Sequence, residues 1–189
     1  MFHVIGLVGM PGAGKSTCIE HLKNQRGAKV VNMGDMVREQ VTLAGESITP
    51  ENLGKMAEAL RKQRGPDVVA QLTAEKVAEI AEDGDIVIID GLRSMQEVEF
   101  FRNQWQFPVI AVHSPPKTRL ARLKDRNRAD DSLEPGYYEY RDRRELKFGI
   151  AEVIAMADEV IFNASFTSEQ ELQDQAGAAI DRLLQVDDS

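Results

Sequence analysis

The chain has 189 residues, the size of one ordinary domain, which excludes a two-domain enzyme. A hydrophobic share of 42% together with 14 glycines excludes global disorder and collagen-like repeats. The formal net charge of −8 argues against a protein that binds nucleic acid or an anionic membrane non-specifically.

The first apolar run also bears on the compartment. Residues 2–8 lack a basic leader and pass directly into a glycine-rich turn, so they predict a first strand rather than a signal peptide. No apolar run reaches the ~18 residues that a membrane span requires. Cys18 is the only cysteine and cannot form an internal disulfide, which fits the cytoplasm. We expect no membrane or nucleic-acid partner, and either a monomer or a homodimer.

Short apolar runs alternate with longer helical stretches, which predicts an α/β fold. The run 86–89 is apolar without alternation, as is typical of a parallel strand buried on both faces. The predicted strands are 3–8, 28–31, 85–90, 109–113 and 159–162. The predicted helices lie near 14–25, 35–44, 50–63, 67–82, 95–104, 115–127, 137–156 and 169–185.

Hydroxyl side chains precede four of these helices. Thr49 and Ser114 each stand before a proline that would occupy the first helical position. Ser94 and Ser168 each have a glutamate three residues later, which is the spacing of a capping box. We interpret these four residues as helix caps.

Residues 9–16 match the phosphate-binding pattern G-x-x-x-x-G-K-[ST]. They follow an apolar strand and open a helix, an arrangement that aims backbone N–H groups at phosphates. Lys15 would reach the β- and γ-phosphates, and Ser16 would ligate Mg²⁺. The predicted cofactors are ATP and Mg²⁺. The predicted cofactor-binding residues are Gly9, Met10, Pro11, Gly12, Ala13, Gly14, Lys15, Ser16 and Thr17.

Asp90 follows the apolar run 86–89. A carboxylate at the carboxyl end of such a strand can hold Mg²⁺ through water, and the alternative is an aspartate that only caps the next turn. We assign Asp90 to the metal site together with Ser16. The three histidines show no ligand spacing with the cysteine, so no second metal site is expected.

Three charged segments then carry a resemblance to a known family. The segment GDMVR at 34–38 resembles the G-D-[ML]-[LV]-R segment of nucleoside monophosphate kinases, adenylate kinase above all. The segment DGLR at 90–93 resembles their D-G-F-P-R segment without its proline, and RADD at 128–131 resembles the G-R-x-D-D of their lid. The resemblance covers residues 3–165, with the motifs in the family's order.

This resemblance implies a fold, a reaction and moving parts. The fold is a three-layer α/β P-loop kinase domain over 1–189, with a five-stranded parallel sheet in the order 2-3-1-4-5. The reaction is ATP- and Mg²⁺-dependent transfer of the γ-phosphoryl group to a small nucleotide acceptor, with a nucleoside monophosphate as the first choice. Residues at about 38–65 would form a small helical acceptor flap, and a short lid would lie at about 119–136.

Cations distributed along the chain would neutralise charge on the moving phosphoryl group. Residues 117–147 contain ten basic and seven acidic residues, a locally positive stretch that suits a small anionic ligand. The predicted catalytic residues are Lys15, Arg122, Arg126 and Arg128. Arg38 and Arg93 are expected to hold the acceptor. The alternative is that Arg119, Arg122 and Arg126, which share one helical face, form a solvated stripe paired with acids.

Asp35 is a predicted substrate-binding residue with two possible roles. If the acceptor is a phosphate, no general base is needed, and Asp35 would cap a helix that starts at Met36. If the acceptor is a hydroxyl, a carboxylate must accept its proton, and the candidates are Asp35 and Asp90.

Two departures from adenylate kinases keep other functions open. Met33 stands where that family usually has threonine, which weakens the case for AMP as acceptor. The segment ADEVIFN at 157–163 resembles dephospho-CoA kinases, so transfer to a sugar hydroxyl is the second hypothesis. The whole pattern is most similar to an archaeal group described as adenylate-kinase-related or dephospho-CoA-kinase-related. A nucleotide-switched regulatory ATPase is the third hypothesis.

Overall fold

The computed structural model describes residues 1–126 and 136–187 of the chain. Five strands form one parallel sheet. They are β1 (His3–Val8), β2 (Lys29–Asn32), β3 (Ile86–Asp90), β4 (Val109–His113) and β5 (Glu159–Phe162). The strand order is β2-β3-β1-β4-β5, so the predicted fold class and strand order are confirmed.

The described helices surround this sheet. They are α1 (Lys15–Arg26), α2 (Met33–Leu43), α3 (Pro50–Arg64), α4 (Val68–Ile80), α5 (Met95–Arg102), α6 (Pro116–Arg126), α7 (Tyr137–Phe148), α8 (Ile150–Ala155) and α9 (Glu169–Asp187). None of them combines the length and the hydropathy that a membrane span requires.

Each face of the sheet carries its own apolar layer. Alternate residues of β1 point to opposite faces, so Val4 and Val8 join one layer while Ile5 and Leu7 join the other. Cys18 of α1 belongs to the second layer, with α9 packed beside α1. Burial raises the pKa of the Cys18 thiol to about 12, so the side chain is a protonated, packed core residue rather than a reactive thiolate.

Three of the four predicted caps are confirmed. The Thr49 hydroxyl accepts from the N–H of Asn52, and Ser94 and Ser168 form reciprocal hydrogen bonds with the glutamates three residues later. The interpretation of Ser114 was wrong, because α6 begins one residue later than expected. The Ser114 hydroxyl instead accepts a hydrogen bond from Arg122.

Two differences from the predicted helices have a clear local cause. The predicted helix 137–156 is two helices, separated at Gly149, whose φ of 100° ends α7. Helix α2 begins at Met33, earlier than expected, because the side chain of Asn32 accepts from the N–H of Gly34 at 2.8 Å. Asn32 is therefore the cap of α2, and of the two roles considered for Asp35 the helix cap is wrong.

Candidate active site

The carboxyl ends of the five strands meet at one edge of the sheet. The register places Leu7 of β1 opposite Asp90 of β3, and Asp90 opposite Asn32 of β2. Gly9 follows β1 at the same edge. The fold therefore brings the predicted phosphate loop next to the predicted metal ligand, at the edge where parallel α/β folds bind ligands.

Glycines shape the loop between β1 and α1, which we call the P-loop (residues 9–17). Gly12 and Gly14 have φ values of 78° and 107°, in the left-handed region that favours glycine. A Cβ on Gly12 would lie 2.8 Å from the carbonyl oxygen of Arg119. A Cβ on Gly14 would overlap the side chain of Asn163. Side chains are thus excluded from both positions by conformation and by space.

The P-loop presents a set of backbone donors. Four of these donors lie at the turn into α1, the backbone N–H groups of Gly12, Gly14, Lys15 and Ser16, and none of the four has an acceptor among the described residues. The Ala13 N–H, in contrast, closes a turn inside the loop. Backbone donors in folded proteins nearly always find a partner, and donors at a helix start favour anions. The four groups therefore fit the phosphates of a nucleotide.

Lys15 is the first residue of α1. Its Nζ donates to the carbonyl oxygen of Gly9 at 2.8 Å, so the ammonium group lies back across the P-loop. The Lys15 ammonium thus shares the loop with the free N–H groups. This is the placement that a cation acting on the β- and γ-phosphates requires.

Arg119 of α6 lies beneath the P-loop and is 4% exposed. Its Nη1 donates to the carbonyl oxygen of Pro11 at 2.9 Å, and its Nε donates to the carbonyl oxygen of Ser114 at 3.2 Å. Asp142 of α7 accepts two further bonds from the guanidinium group, at 2.9 and 2.6 Å. Arg119 therefore connects the P-loop, β4 and α7, and the interpretation of this residue as part of a solvated stripe was wrong.

Arg122 occupies a second position beneath the loop, at the end of β5. Its guanidinium group donates to the Ser114 hydroxyl, to the Asn163 side-chain oxygen at 2.8 Å and to the Ala164 carbonyl oxygen at 2.9 Å. Burial lowers the pKa of this guanidinium below its ordinary value. Arg122 thus lies at the base of the P-loop, and its predicted contact with the moving phosphoryl group stays a prediction.

Asn163 links Arg122 to the P-loop. Its side chain is buried, and its Nδ2 donates to the carbonyl oxygen of Ala13 at 2.8 Å. We call Ser114, Arg119, Arg122, Asp142 and Asn163 the support network. Sequence reasoning missed Asp142 and Asn163 as site residues. The last position of the ADEVIFN segment was the one signal that could have pointed to Asn163.

Asp90 carries the feature that bears on a metal ion. One carboxylate oxygen accepts from Nδ2 of Asn32 at 2.9 Å. The other, Oδ1, is buried and has no hydrogen-bond partner among the described residues. An unpaired buried carboxylate oxygen is costly unless a ligand satisfies it. Together with the Ser16 hydroxyl, Asp90 offers oxygen donors of the kind that Mg²⁺ prefers, so these residues fit the ion.

Asp35 and Arg38 lie on the first turns of α2, beside the end of β2. Arg38 donates from Nη1 to a carboxylate oxygen of Asp35, and both side chains are about half exposed. Because Asn32 already caps the helix, the Asp35 carboxylate is not committed to the backbone. It is available for an acceptor, and the predicted substrate contacts of both residues stay predictions.

The structure joins Arg93 to α7. Its Nε lies 3.1 Å from the buried carboxylate of Glu145, and its guanidinium group lies over the ring of Phe148 at 5.4 Å. Arg144 pairs with the other oxygen of Glu145 at 3.0 Å. Acceptor binding by Arg93 stays a prediction, and in this structure the residue ties the loop after β3 to α7.

Part of the predicted lid lies outside the described residues. Arg126 is the last residue of α6, and Arg128 lies outside the described residues. The roles predicted for these two arginines in catalysis therefore stay predictions.

Comparison with known proteins agrees with this geometry. Residues 8–135 match the model of a family described as an AAA domain. A UPF0200 protein of Thermococcus onnurineus is 44% identical over 163 residues, which cover 85% of this chain and 88% of the relative. The chain therefore belongs to the UPF0200 family and contains an AAA domain.

Solved structures show the same fold. A Thermus thermophilus protein aligns with a TM-score of 0.67 at 19% identity, covering 96% of this chain and 97% of its own. A shikimate kinase of Acinetobacter baumannii, in complex with shikimate, aligns with a TM-score of 0.56 at 18% identity, covering 98% and 94%. At these identities the likeness shows the fold alone, which is that of P-loop kinases.

Proposed function

We propose that the chain is a phosphotransferase that moves the γ-phosphoryl group of ATP, with Mg²⁺, to a small acceptor. The observation that carries this proposal is the P-loop beside Asp90: the N–H groups of Gly12, Gly14, Lys15 and Ser16 and the Oδ1 atom of Asp90 all lack a partner among the described residues. A glycine-rich turn without such a neighbour would bind an anion, whereas this pair suits phosphates together with their metal ion. The shared kinase fold supports the same conclusion.

Each group of the candidate site has a distinct role in this reaction. The backbone donors hold the phosphates, and Lys15 neutralises charge on the β- and γ-phosphates. Ser16 and Asp90 would hold Mg²⁺, with Asp90 acting through water. The ion, when bound, supplies positive charge that offsets the charge of the phosphates. Arg126 and Arg128 are proposed to approach the transferring group from the lid.

The transfer itself needs little covalent chemistry from the protein. An acceptor oxygen forms a bond to the γ-phosphorus while the bond from that phosphorus to the β–γ bridging oxygen breaks, and ADP leaves. A phosphate acceptor requires no proton removal. A hydroxyl acceptor must lose its proton, and a carboxylate within hydrogen-bond reach would take it.

A nucleoside monophosphate is the first candidate for the acceptor. The resemblance of residues 34–38 and 90–93 to nucleoside monophosphate kinases supports it, because Arg38 and Arg93 would then bind the acceptor's phosphate. Arg38 lies on α2, next to the end of β2, where an acceptor can face the P-loop across the sheet edge.

A hydroxyl acceptor is the second candidate, and one observation favours it. Asp35 does not cap α2, so its exposed carboxylate has no backbone role to explain its presence at the sheet edge. The hydrogen bond from Arg38 would orient that carboxylate. On this alternative Asp35 is the general base.

An acceptor screen with γ-labelled ATP tests the proposal. Transfer of label to added nucleoside monophosphates supports the first candidate, and transfer to dephospho-CoA or another hydroxyl compound supports the second. Release of phosphate at the same rate with every acceptor contradicts both and favours a nucleotide-switched ATPase. Failure of the protein to bind Mg·ATP at millimolar concentration contradicts all three.

The Asp35→Asn variant separates the two candidates. With a hydroxyl acceptor we expect turnover to fall about 10²-fold or more, the usual contribution of a general base. With a phosphate acceptor turnover should change little. Asp83→Asn is the matched control, because Asp83 is exposed at the amino end of β3 on the opposite edge of the sheet.

A further inference from the structure

We infer that Arg119 and Asn163 are positioning residues that orient the peptide groups of the P-loop. Each donates a hydrogen bond to a carbonyl group of the loop and thereby turns the adjoining N–H group toward the bound phosphates. This inference rests on the proposed binding of a nucleotide's phosphates by the P-loop.

The geometry of the peptide bond supplies the link. In a trans peptide the C=O of one residue and the N–H of the next point in opposite directions. The Pro11 carbonyl, held by Arg119 Nη1 at 2.9 Å, shares its peptide group with the N–H of Gly12. The Ala13 carbonyl, held by Asn163 Nδ2 at 2.8 Å, shares its peptide group with the N–H of Gly14. Both of these N–H groups lack a protein acceptor in the described structure.

The two peptide groups need an external restraint because each precedes a glycine. Gly12 and Gly14 have no Cβ, so their φ angles are the least restricted in the loop. Rotation of either peptide group would turn a carbonyl oxygen, rather than an N–H, toward the phosphates. A donor fixed on the carbonyl side opposes that rotation before the ligand arrives, which is pre-organisation in its usual sense.

The two donors are themselves immobilised. Arg119 is 4% exposed and is held by Asp142 and by the Ser114 carbonyl, so its Nη1 cannot leave Pro11 without breaking a two-bond ion pair. The amide of Asn163 has one allowed orientation, because its Oδ1 accepts from Arg122. A flipped amide would set its NH₂ group against the guanidinium and its oxygen against the Ala13 carbonyl. The restraint is therefore specific to one orientation of each peptide.

Two variants remove one restraint each. Asn163→Leu keeps the approximate size of the side chain but removes the donor to Ala13, and Arg122 retains the Ser114 hydroxyl and the Ala164 carbonyl as acceptors. The double variant Arg119→Met/Asp142→Leu removes the donor to Pro11 without leaving an unpaired buried charge. Asn24→Leu, at an exposed position of α1, is the matched control.

The experiment measures binding of inorganic triphosphate with Mg²⁺ by calorimetry and the amide ¹H shifts of Gly12 and Gly14 by NMR. We expect Asn163→Leu to weaken binding about tenfold or more, the usual effect of losing one charge-assisted hydrogen bond. The ligand-induced shift of the Gly14 amide should disappear while that of Gly12 persists. The double variant should show the reverse pattern, and Asn24→Leu should match the unaltered protein.

Three results overturn the inference. The first is unchanged triphosphate affinity in both site variants. The second is equal loss of the Gly12 and Gly14 shifts in both, which indicates general loosening of the loop rather than orientation of single peptides. The third is failure of the unaltered protein to bind triphosphate, which overturns the proposed function as well. The first two leave the proposed function standing, so the two failures are distinguishable.

Discussion

Removal of the Asp142 carboxylate should lower the free energy of unfolding more than the loss of a surface ion pair does. Asp142→Leu leaves the Arg119 guanidinium, 4% exposed, with two carbonyl acceptors and without a counter-charge among the residues that the structure describes. Breaking a buried ion pair by removing one partner costs about 3–5 kcal/mol. The Asp142 side chain is 26% exposed, so water relieves part of this cost, and we expect about 2–3 kcal/mol. For a domain of this size that lowers Tm by roughly 4–12 °C.

Urea denaturation of a double-mutant cycle measures this cost. Asp142→Leu and Arg119→Met are each compared with the double variant, which should be more stable than Asp142→Leu because no buried charge is left unpaired. Glu159→Leu is the matched control, since Glu159 makes the same two-bond pair with Arg182, whose side chain is 54% exposed. Loss of Glu159 leaves a solvated rather than a buried guanidinium and should lower stability much less. Asp142→Leu within about 0.5 kcal/mol of the unaltered protein would refute the reasoning.

Three further predictions concern the site, and a fourth concerns the buried Cys18. Lys15→Met should abolish phosphoryl transfer with an unchanged circular dichroism spectrum; persistent transfer would contradict its role. Arg38→Ala should raise the KM for the acceptor about tenfold or more and leave the Kd for ATP unchanged, whereas equal loss of both affinities contradicts acceptor binding. Asp90→Asn should raise the Mg²⁺ concentration needed for half-maximal transfer, and an unaltered Mg²⁺ dependence would exclude Asp90 from the metal site. Cys18 should resist iodoacetamide at pH 8 until urea unfolds the protein, because burial raises its thiol pKa to about 12 and leaves almost no thiolate; rapid labelling of the folded protein would show the thiol to be accessible.

The fold and the P-loop could be predicted because their signals are local. Strands 3–8, 109–113 and 159–162 were predicted to the residue, since apolar β-branched runs bounded by glycine, proline or polar residues define both ends. The P-loop pattern contains its own glycines, lysine and serine within eight residues. The strand order came from the family resemblance.

The start of α2 shows why local signals can fail. Asn32 and Asp35 are both good caps and lie three residues apart. The choice between them depends on β2 pairing with β3, which sets Asn32 opposite Asp90 and lets its amide donate to that carboxylate. The competition is decided by a contact 58 residues away, which a local pattern does not encode.

The contacts of the support network could not be predicted from the sequence, because its residues are far apart along the chain. Arg119 is 108 residues away in sequence from Pro11, whose carbonyl accepts its hydrogen bond. Asn163 is 150 residues away from Ala13, whose carbonyl accepts the bond from its amide. Helical spacing of Arg119, Arg122 and Arg126 suggested one shared environment. The first two contact different partners, because Arg119 is paired with the Asp142 carboxylate and Arg122 donates to the side-chain oxygen of Asn163. Residue type and spacing therefore predicted a cationic helix. The contacts of Arg119 and Arg122 depend on Ser114 and Asn163, which follow β4 and β5, and helical spacing does not encode these positions.

The groups proposed to contact phosphate and the groups that orient them come from different parts of the chain, which explains why only the former were predicted from the sequence. The groups that would touch phosphate are mostly backbone N–H groups, so the P-loop sequence specifies them through glycines and a helix start. Backbone groups carry no side-chain identity, and their direction must come from elsewhere in the fold. Arg119 supplies it from the first turn of α6, and Asn163 supplies it from the residue after β5. Changes at these remote positions should therefore alter phosphate binding in a protein whose P-loop sequence is intact, and a matching P-loop pattern alone is insufficient evidence of a competent site.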